Sequence, residues 1–208
     1  MVVGRAPGRE ERWDEIVLAA SKVFYEKSYE GSSLQDIASA VGLLKGSIYY
    51  YINTKEDLLF EIVMRAQAVW MATLEEDDEL AQQPATTRLR ETIVRWTLLK
   101  ERHREWGIVA EREFTRLSAP YLTKVIVGRR TFNNFVEQII SQGRDDGDLD
   151  DRIPLQLATN MVFEVMKSSH VNRPTGSRAD ITKFADAYSL LLIRGLGKAD
   201  WIAPSAIN

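Results

Sequence analysis

Apolar residues recur at helical spacing along nearly the whole chain, and no segment alternates apolar with polar residues over a strand's length. A period near 3.6 places positions i, i+3, i+4 and i+7 on one face, so this chain buries its apolar surface as helices packed on helices. Trp13, Ile16, Val17, Ala20, Val23 and Phe24 form one stripe and predict a first helix over residues 10–27. Gly31 interrupts it. Ser33 can cap a short second helix through Ala40, with Asp36 placed to complete a capping box, and Gly42 stops that helix. A third short helix is expected over residues 44–51. A fourth over residues 55–79 would span ~37 Å at ~1.5 Å per residue. Five further stripes, over residues 86–102, 105–117, 120–143, 155–171 and 180–196, complete the expectation: all-α, with about nine helices.

Composition excludes several chemistries. Cysteine is absent, which removes disulfides, thiolate metal sites and a cysteine nucleophile. The two histidines, His103 and His170, fall in different segments with no partner at metal or triad spacing. No Gly-x-Ser-x-Gly elbow, phosphate-cradling loop or dinucleotide fingerprint occurs. Asp146, Asp148 and Asp150 alternate as in a calcium loop, but Asp151 stands at the required glycine and Leu157 at the required glutamate. The expectation is a chain with no catalytic set, metal or cofactor. No apolar run reaches membrane-spanning length and no apolar signal core follows Met1, which points to the cytoplasm and no membrane partner.

Net charge is −3. Within residues 1–55, Arg5, Arg9, Arg12, Lys22, Lys27, Lys45 and Lys55 are balanced by Glu10, Glu11, Asp14, Glu15, Glu26, Glu30 and Asp36. Bulk charge therefore gives no sign of a nucleic-acid partner. The order of elements does. Three short helices, the last two joined by a tight glycine turn, match the helix-turn-helix plan. Ile37, Ala38, Val41 and Ile48 are spaced to join the second helix to the third, leaving Lys45, Gly46, Ser47, Tyr49 and Tyr50 outward. Gly46 and Ser47 let the helix approach the groove floor, and Lys45 can donate to guanine O6 or N7. Two adjacent exposed tyrosines suit phosphate and thymine-methyl contact better than water.

The same residues carry a resemblance. Ser33-Leu34-Gln35-Asp36-Ile37-Ala38, Val41-Gly42-Leu43, Gly46-Ser47-Ile48-Tyr49-Tyr50-Tyr51-Ile52 and Thr54-Lys55-Glu56-Asp57-Leu58 closely resemble the DNA-binding domain of TetR-family regulators. The resemblance covers roughly residues 10–60. It implies that Ser33, Tyr50 and Lys55 bind phosphate while Lys45, Ser47 and Tyr49 work in the major groove. Arg5 and Arg9, in an arm over residues 1–9, would enter the minor groove as basic arms do in related proteins. Ile52 stands where the family usually has Phe, and Tyr50 where His is common.

Further along, Ala110-Glu111-Arg112-Glu113-Phe114-Thr115-Arg116-Leu117-Ser118 with Gly143, Gly147, Asp148 and Leu149 is similar to an actinobacterial subgroup of that family. Some of its members sense acyl-CoA or steroid-derived CoA thioesters. The stretch Ser168-Ser169-His170-Val171-Asn172-Arg173-Pro174-Thr175-Gly176 departs from it, lacking the aromatic residues common before Arg-Pro-x-Gly. Trp70, Trp96, Phe132, Phe135 and Phe163 are candidates to line an effector pocket, with Arg112 and Asn160 as polar handles. Leu157, Met161, Val165, Phe184, Tyr188, Leu191 and Leu192 are candidates for a twofold interface.

The reading is a DNA-binding domain over residues 1–54 and an effector-binding and dimerisation domain over residues 55–208. Its expected partners are double-stranded palindromic operator DNA, a second copy of the chain, and a small, largely hydrophobic effector such as a CoA thioester or a lipid- or steroid-derived acid. Such a chain is a ligand-responsive repressor, with the long fourth helix as its lever. The alternatives are an all-α enzyme acting on a hydrophobic substrate, or an adaptor that keeps the three-helix module without binding DNA.

Overall fold

Helix-forming stripes become helices wherever a local cap can start them and an apolar neighbour can cover them. The computed structural model describes residues 8–75, 78–168 and 177–197. Among these, α1 (Arg9–Lys27), α2 (Leu34–Ala40), α3 (Lys45–Ile48) and α4 (Lys55–Met71) are followed by α5 (Asp78–Ala81), α6 (Ala85–Arg102) and α7 (Arg104–Glu113). Then come α8 (Ala119–Asp145), α9 (Leu155–Ser168) and α10 (Arg178–Leu196), with 3-10 turns at Ala72–Leu74 and Phe114–Arg116. The described residues pair as strands only in an isolated bridge between Leu149 and Gly197. No helix among them is long and apolar enough to cross a membrane.

Three expected helices end early, each for a local reason. Helix α3 covers only Lys45–Ile48, because Gly46 and Ser47 are weak helix formers and Tyr49 to Tyr51 relax into a turn. Helix α4 stops at Met71, far short of residue 79. Its last turn tightens, Thr73 Oγ1 donates to the Trp70 carbonyl at 2.6 Å, and Glu75 is extended. Carboxylates are unfavourable at a helix C-terminus and favourable at an N-terminus, so Asp78 and Glu79 open α5 instead of closing α4. The expected helix over residues 105–117 likewise gives way at Phe114 to a 3-10 turn. Pro120 sits in the first turn of α8, where its missing N–H costs nothing.

Packing divides the chain elsewhere than between residues 54 and 55. One compact unit comprises residues 1–68 and 103–127, the other residues 69–102 and 128–208, so α4 and α8 each contribute to both. In the first, Ile16, Ala20 and Phe24 of α1, Ile37 and Ala38 of α2, Ile48 of α3 and Leu58, Leu59 and Ile62 of α4 are buried, as are Val109 and Ala110 of α7. In the second, α6 packs on α10 and α9, burying Leu89, Ile93, Val162, Met166, Ala185 and Ile193.

Gly143 of α8 is closely packed. A methyl added there would lie 2.7 Å from Ala85 Cβ and 2.8 Å from Leu149 Cδ1. Leu149 has little room to retreat, because its bridge to Gly197 and the Asp150 N–H donated to Leu196 at 2.8 Å hold the loop. Gly143→Ala should therefore destabilise the chain by ~1–3 kcal/mol through overpacking, read as a lower urea midpoint at unchanged slope.

Candidate nucleic-acid interface

The turn between α2 and α3 determines how the third helix is presented. Gly42 has φ +67°, a conformation that other residues enter at a cost, and no neighbouring atom lies within 4 Å of where its Cβ would be. The Leu43 N–H donates to Ala38 O at 2.8 Å, and Arg12 Nη2 of α1 donates to Val41 O at 2.7 Å, so α1 holds the turn directly. Ile48 then faces inward with no exposed surface. Helical geometry leaves the rest of α3 facing out: Lys45 and Gly46 are exposed, Ser47 is half-buried, and Tyr49 and Tyr50 are 51% and 81% exposed. Leu44, at the N-cap of α3, is 80% exposed and joins this face. Leu44 was not among the sequence candidates, although a leucine just before α3 and outside the apolar stripe was the available signal.

Helix α2 begins with the expected capping box. The Asp36 N–H donates to Ser33 Oγ at 3.2 Å, while Ser33 N–H and Ser33 Oγ donate to Asp36 Oδ2 at 2.8 and 2.6 Å. Lys27 Nζ adds a 2.6 Å bond to the other carboxylate oxygen. The donors of Ser33 that were expected to meet phosphate are therefore already engaged by Asp36. The hydrogen bond from Lys27, followed by those from Ser33, holds the Asp36 carboxyl well below the ordinary range.

Lys55 is likewise engaged within the chain. Its ammonium donates to Tyr29 O at 2.6 Å and Ser32 O at 2.7 Å, lying 4.4 Å from the centre of the Tyr29 ring. It fastens the loop between α1 and α2 to the first residue of α4. Partial burial lowers its pKa, against the raising influence of Glu30 and Asp36. Beside it, Asp57 accepts from the Asn53 and Thr54 N–H groups at 3.1 and 2.8 Å and from Tyr121 OH at 2.6 Å. Burial opposes its charge, but these bonds outweigh it and lower its pKa. Tyr121 also stacks on Phe60, with ring centres 4.4 Å apart.

Residues 103–127 brace the same unit, and Arg112 belongs to that brace rather than to an effector pocket. Its guanidinium is exposed and donates to Phe24 O at 2.6 Å and Glu113 Oε1 at 2.8 Å. The buried Glu113 carboxylate also accepts from Tyr29 N–H at 3.3 Å. Arg9 is exposed in the first turn of α1, and Arg5 lies outside the described residues.

The remaining candidates fall in the second unit. Trp70, Trp96, Phe132 and Phe163 form a continuous chain of rings with successive centres 5.0, 5.0 and 5.4 Å apart. Trp70, Trp96 and Phe132 are buried and Phe163 is half-buried; Phe135 is also half-buried and makes no ring contact with them. Asn160 does not face that interior but is exposed, accepting from Gln156 Nε2 at 3.1 Å. Of the interface candidates, Leu157, Met161 and Leu191 are exposed, while Val165, Phe184 and Tyr188 are half-buried. Leu192 is the exception: it is buried against its own chain.

The chain is similar to known proteins over both units. The model of bacterial regulatory proteins of the tetR family matches residues 16–62, and that of the tetracyclin repressor-like C-terminal domain matches residues 82–196. The fatty acid metabolism regulator protein of Bacillus subtilis (strain 168) is 25% identical over 155 residues, 73% of this chain and 78% of that one. A bacterial regulatory protein in the tetR family from Rhodococcus RHA1 shares the fold with a TM-score of 0.81 at 24% identity, over 90% of this chain and 98% of that one. AibR, solved in complex with isovaleryl coenzyme A and operator DNA, does so with a TM-score of 0.77 at 22% identity, over 88% and 98%.

The Asp36 geometry makes a measurable claim. Its pKa is lowered in the folded state, so its contribution to stability is complete above the ordinary value of 3.8 and is lost as pH falls through the lowered one. NMR titration should place Asp36 below the ordinary aspartate value, and Lys27→Met should move it upward. An unmoved titration would remove the Lys27 bond from the account.

Proposed function

The chain belongs to the tetR family of bacterial regulatory proteins, and we propose that it represses transcription as a homodimer released from a palindromic operator by a small, largely hydrophobic effector. The observation that carries this reading is the outward face of α3. Leu44, Lys45, Gly46, Tyr49 and Tyr50 are all exposed while Ile48 is locked inside, so this one short element gives water an apolar and aromatic face with a lysine on it. That surface suits DNA. Lys45 can donate to guanine O6 or N7, Leu44 and the tyrosine rings can lie against thymine methyls, and the tyrosine hydroxyls can reach phosphate.

A palindromic site needs two copies of α3 about 34–36 Å apart. The exposed residues Leu157 and Met161 on α9 and Leu191 on α10, flanked by half-buried Val165, Phe184 and Tyr188, supply an apolar stripe for a second copy. An effector then weakens DNA binding in proportion to its preference for a different spacing. The name of the Bacillus subtilis relative and the isovaleryl coenzyme A bound to AibR support a hydrophobic effector. Helix α4 is the proposed lever, as its first residues belong to one unit and its last to the other.

Fluorescence anisotropy on duplex DNA from upstream of the chain's own gene tests the interface. Lys45→Ala and Tyr49→Ala should each weaken specific binding by about tenfold or more, in line with ~1–3 kcal/mol per good base contact, with circular dichroism unchanged. Wild-type affinity in both variants would show that α3 is not the recognition helix. Light scattering tests the assembly: Leu191→Arg should shift the mass from dimer to monomer and abolish operator binding together. A variant that stays dimeric would move the interface away from this stripe.

A further inference from the structure

Beside the packed aromatic rings, the second unit holds a cavity of about 430 Å³, within the ~300–1,000 Å³ typical of small-molecule sites. Its main wall is one face of α6, on which Arg95, Leu98, Leu99 and Arg102 recur at i, i+3, i+4 and i+7. Arg178 and Ile181, one turn apart at the start of α10, form another part of the lining. The lining joins apolar surface to an excess of positive charge: three arginines against the single carboxylate of Glu101, in a chain whose net charge is −3. Arg95 is partly engaged, donating to Glu75 O at 2.6 Å. Arg102 and Arg178 form no ion pair among the described residues, and both are exposed. These two guanidiniums border leucine and isoleucine, whereas in the same unit Arg90 is paired with Asp186 at 2.6 Å and Arg152 with Asp150 at 2.5 Å.

We propose that this cavity binds an amphipathic anion. An apolar chain lies along Leu98, Leu99 and Ile181, and its carboxylate or phosphate head is gripped by Arg102 and Arg178. The planar fork of a guanidinium matches both kinds of anion through paired hydrogen bonds, which a neutral hydroxyl head cannot reproduce. Trp70, Trp96, Phe132 and Phe163 pack on one another and are not among the residues that line the cavity. As an effector site it rests on the repressor reading above; as a binding site it does not.

Isothermal titration of the full chain with decanoate, decyl phosphate and decanol tests the assignment. Each of the two anions should bind once per chain and at least tenfold more tightly than decanol. The double variant Arg102→Ala, Arg178→Ala should keep the wild-type circular dichroism spectrum and lose at least tenfold in affinity for both anions, while decanol binding stays within twofold. If decanol binds as tightly as the anions, or the double variant binds them as wild type does, the assignment is overturned. Binding of only one anion would assign the head group to that class. DNA anisotropy with the bound anion then separates the two readings: lowered affinity supports both, and unchanged affinity keeps the binding site while removing its role as the effector site.

Discussion

The ammonium of Lys55 lies between the carbonyls of Tyr29 and Ser32 and over the Tyr29 ring. That placement ties the loop after α1 to the first residue of α4. Ser33 follows at once and caps α2, so the start of α2, and through it the turn at Gly42, is referred to this one side chain. Hydrogen bonds from a charged donor contribute about 1.5–3 kcal/mol each, enough to offset the partial burial that lowers the lysine's pKa. The loop is further held by the buried Glu113 carboxylate, which accepts the Tyr29 N–H. The presentation of α3 thus rests on contacts made within the chain, some of them far from α3 in sequence.

The same economy explains why composition says nothing of a nucleic-acid partner. Lys27 is committed to Asp36, Arg12 to Glu15 and the Val41 carbonyl, Arg112 to Phe24 and Glu113, and Lys55 to the loop. These four cations are held by partners within the chain. Lys45 remains on the outward face of α3, beside exposed tyrosines and an exposed leucine. Recognition on such a face depends on where a few side chains stand, since phosphate attraction in bulk scales with the number of charges available.

In the second unit the distinction lies between aromatic residues that fill space and arginines that border it. Trp70, Trp96, Phe132 and Phe163 attract notice in sequence because large rings dominate apolar area. In the fold they satisfy one another. The space left open lies along a face of α6 that reads, in sequence, as an ordinary solvated stripe with two leucines. Empty volume is a property of three packed elements, and no single helical period encodes it.

The start of α2 was legible because capping is chemistry among near neighbours: Ser33 and Asp36 are three residues apart. Helix ends were less so. The stripe of α4 continues past Met71, but a threonine hydroxyl and a run of carboxylates end the helix there. The sequence by itself determined that the chain is all-α and carries a helix-turn-helix, because the apolar period and the glycine turn admit little else. It also determined that Lys45, Tyr49 and Tyr50 face outward, since Ile48 must face in. Only the tertiary structure decided what Lys55, Arg112, Asn160 and Leu192 do. Periodicity names the face a residue occupies, but whether its polar end meets water, a carbonyl 26 residues away or a neighbouring glutamine depends on which elements the fold brings alongside.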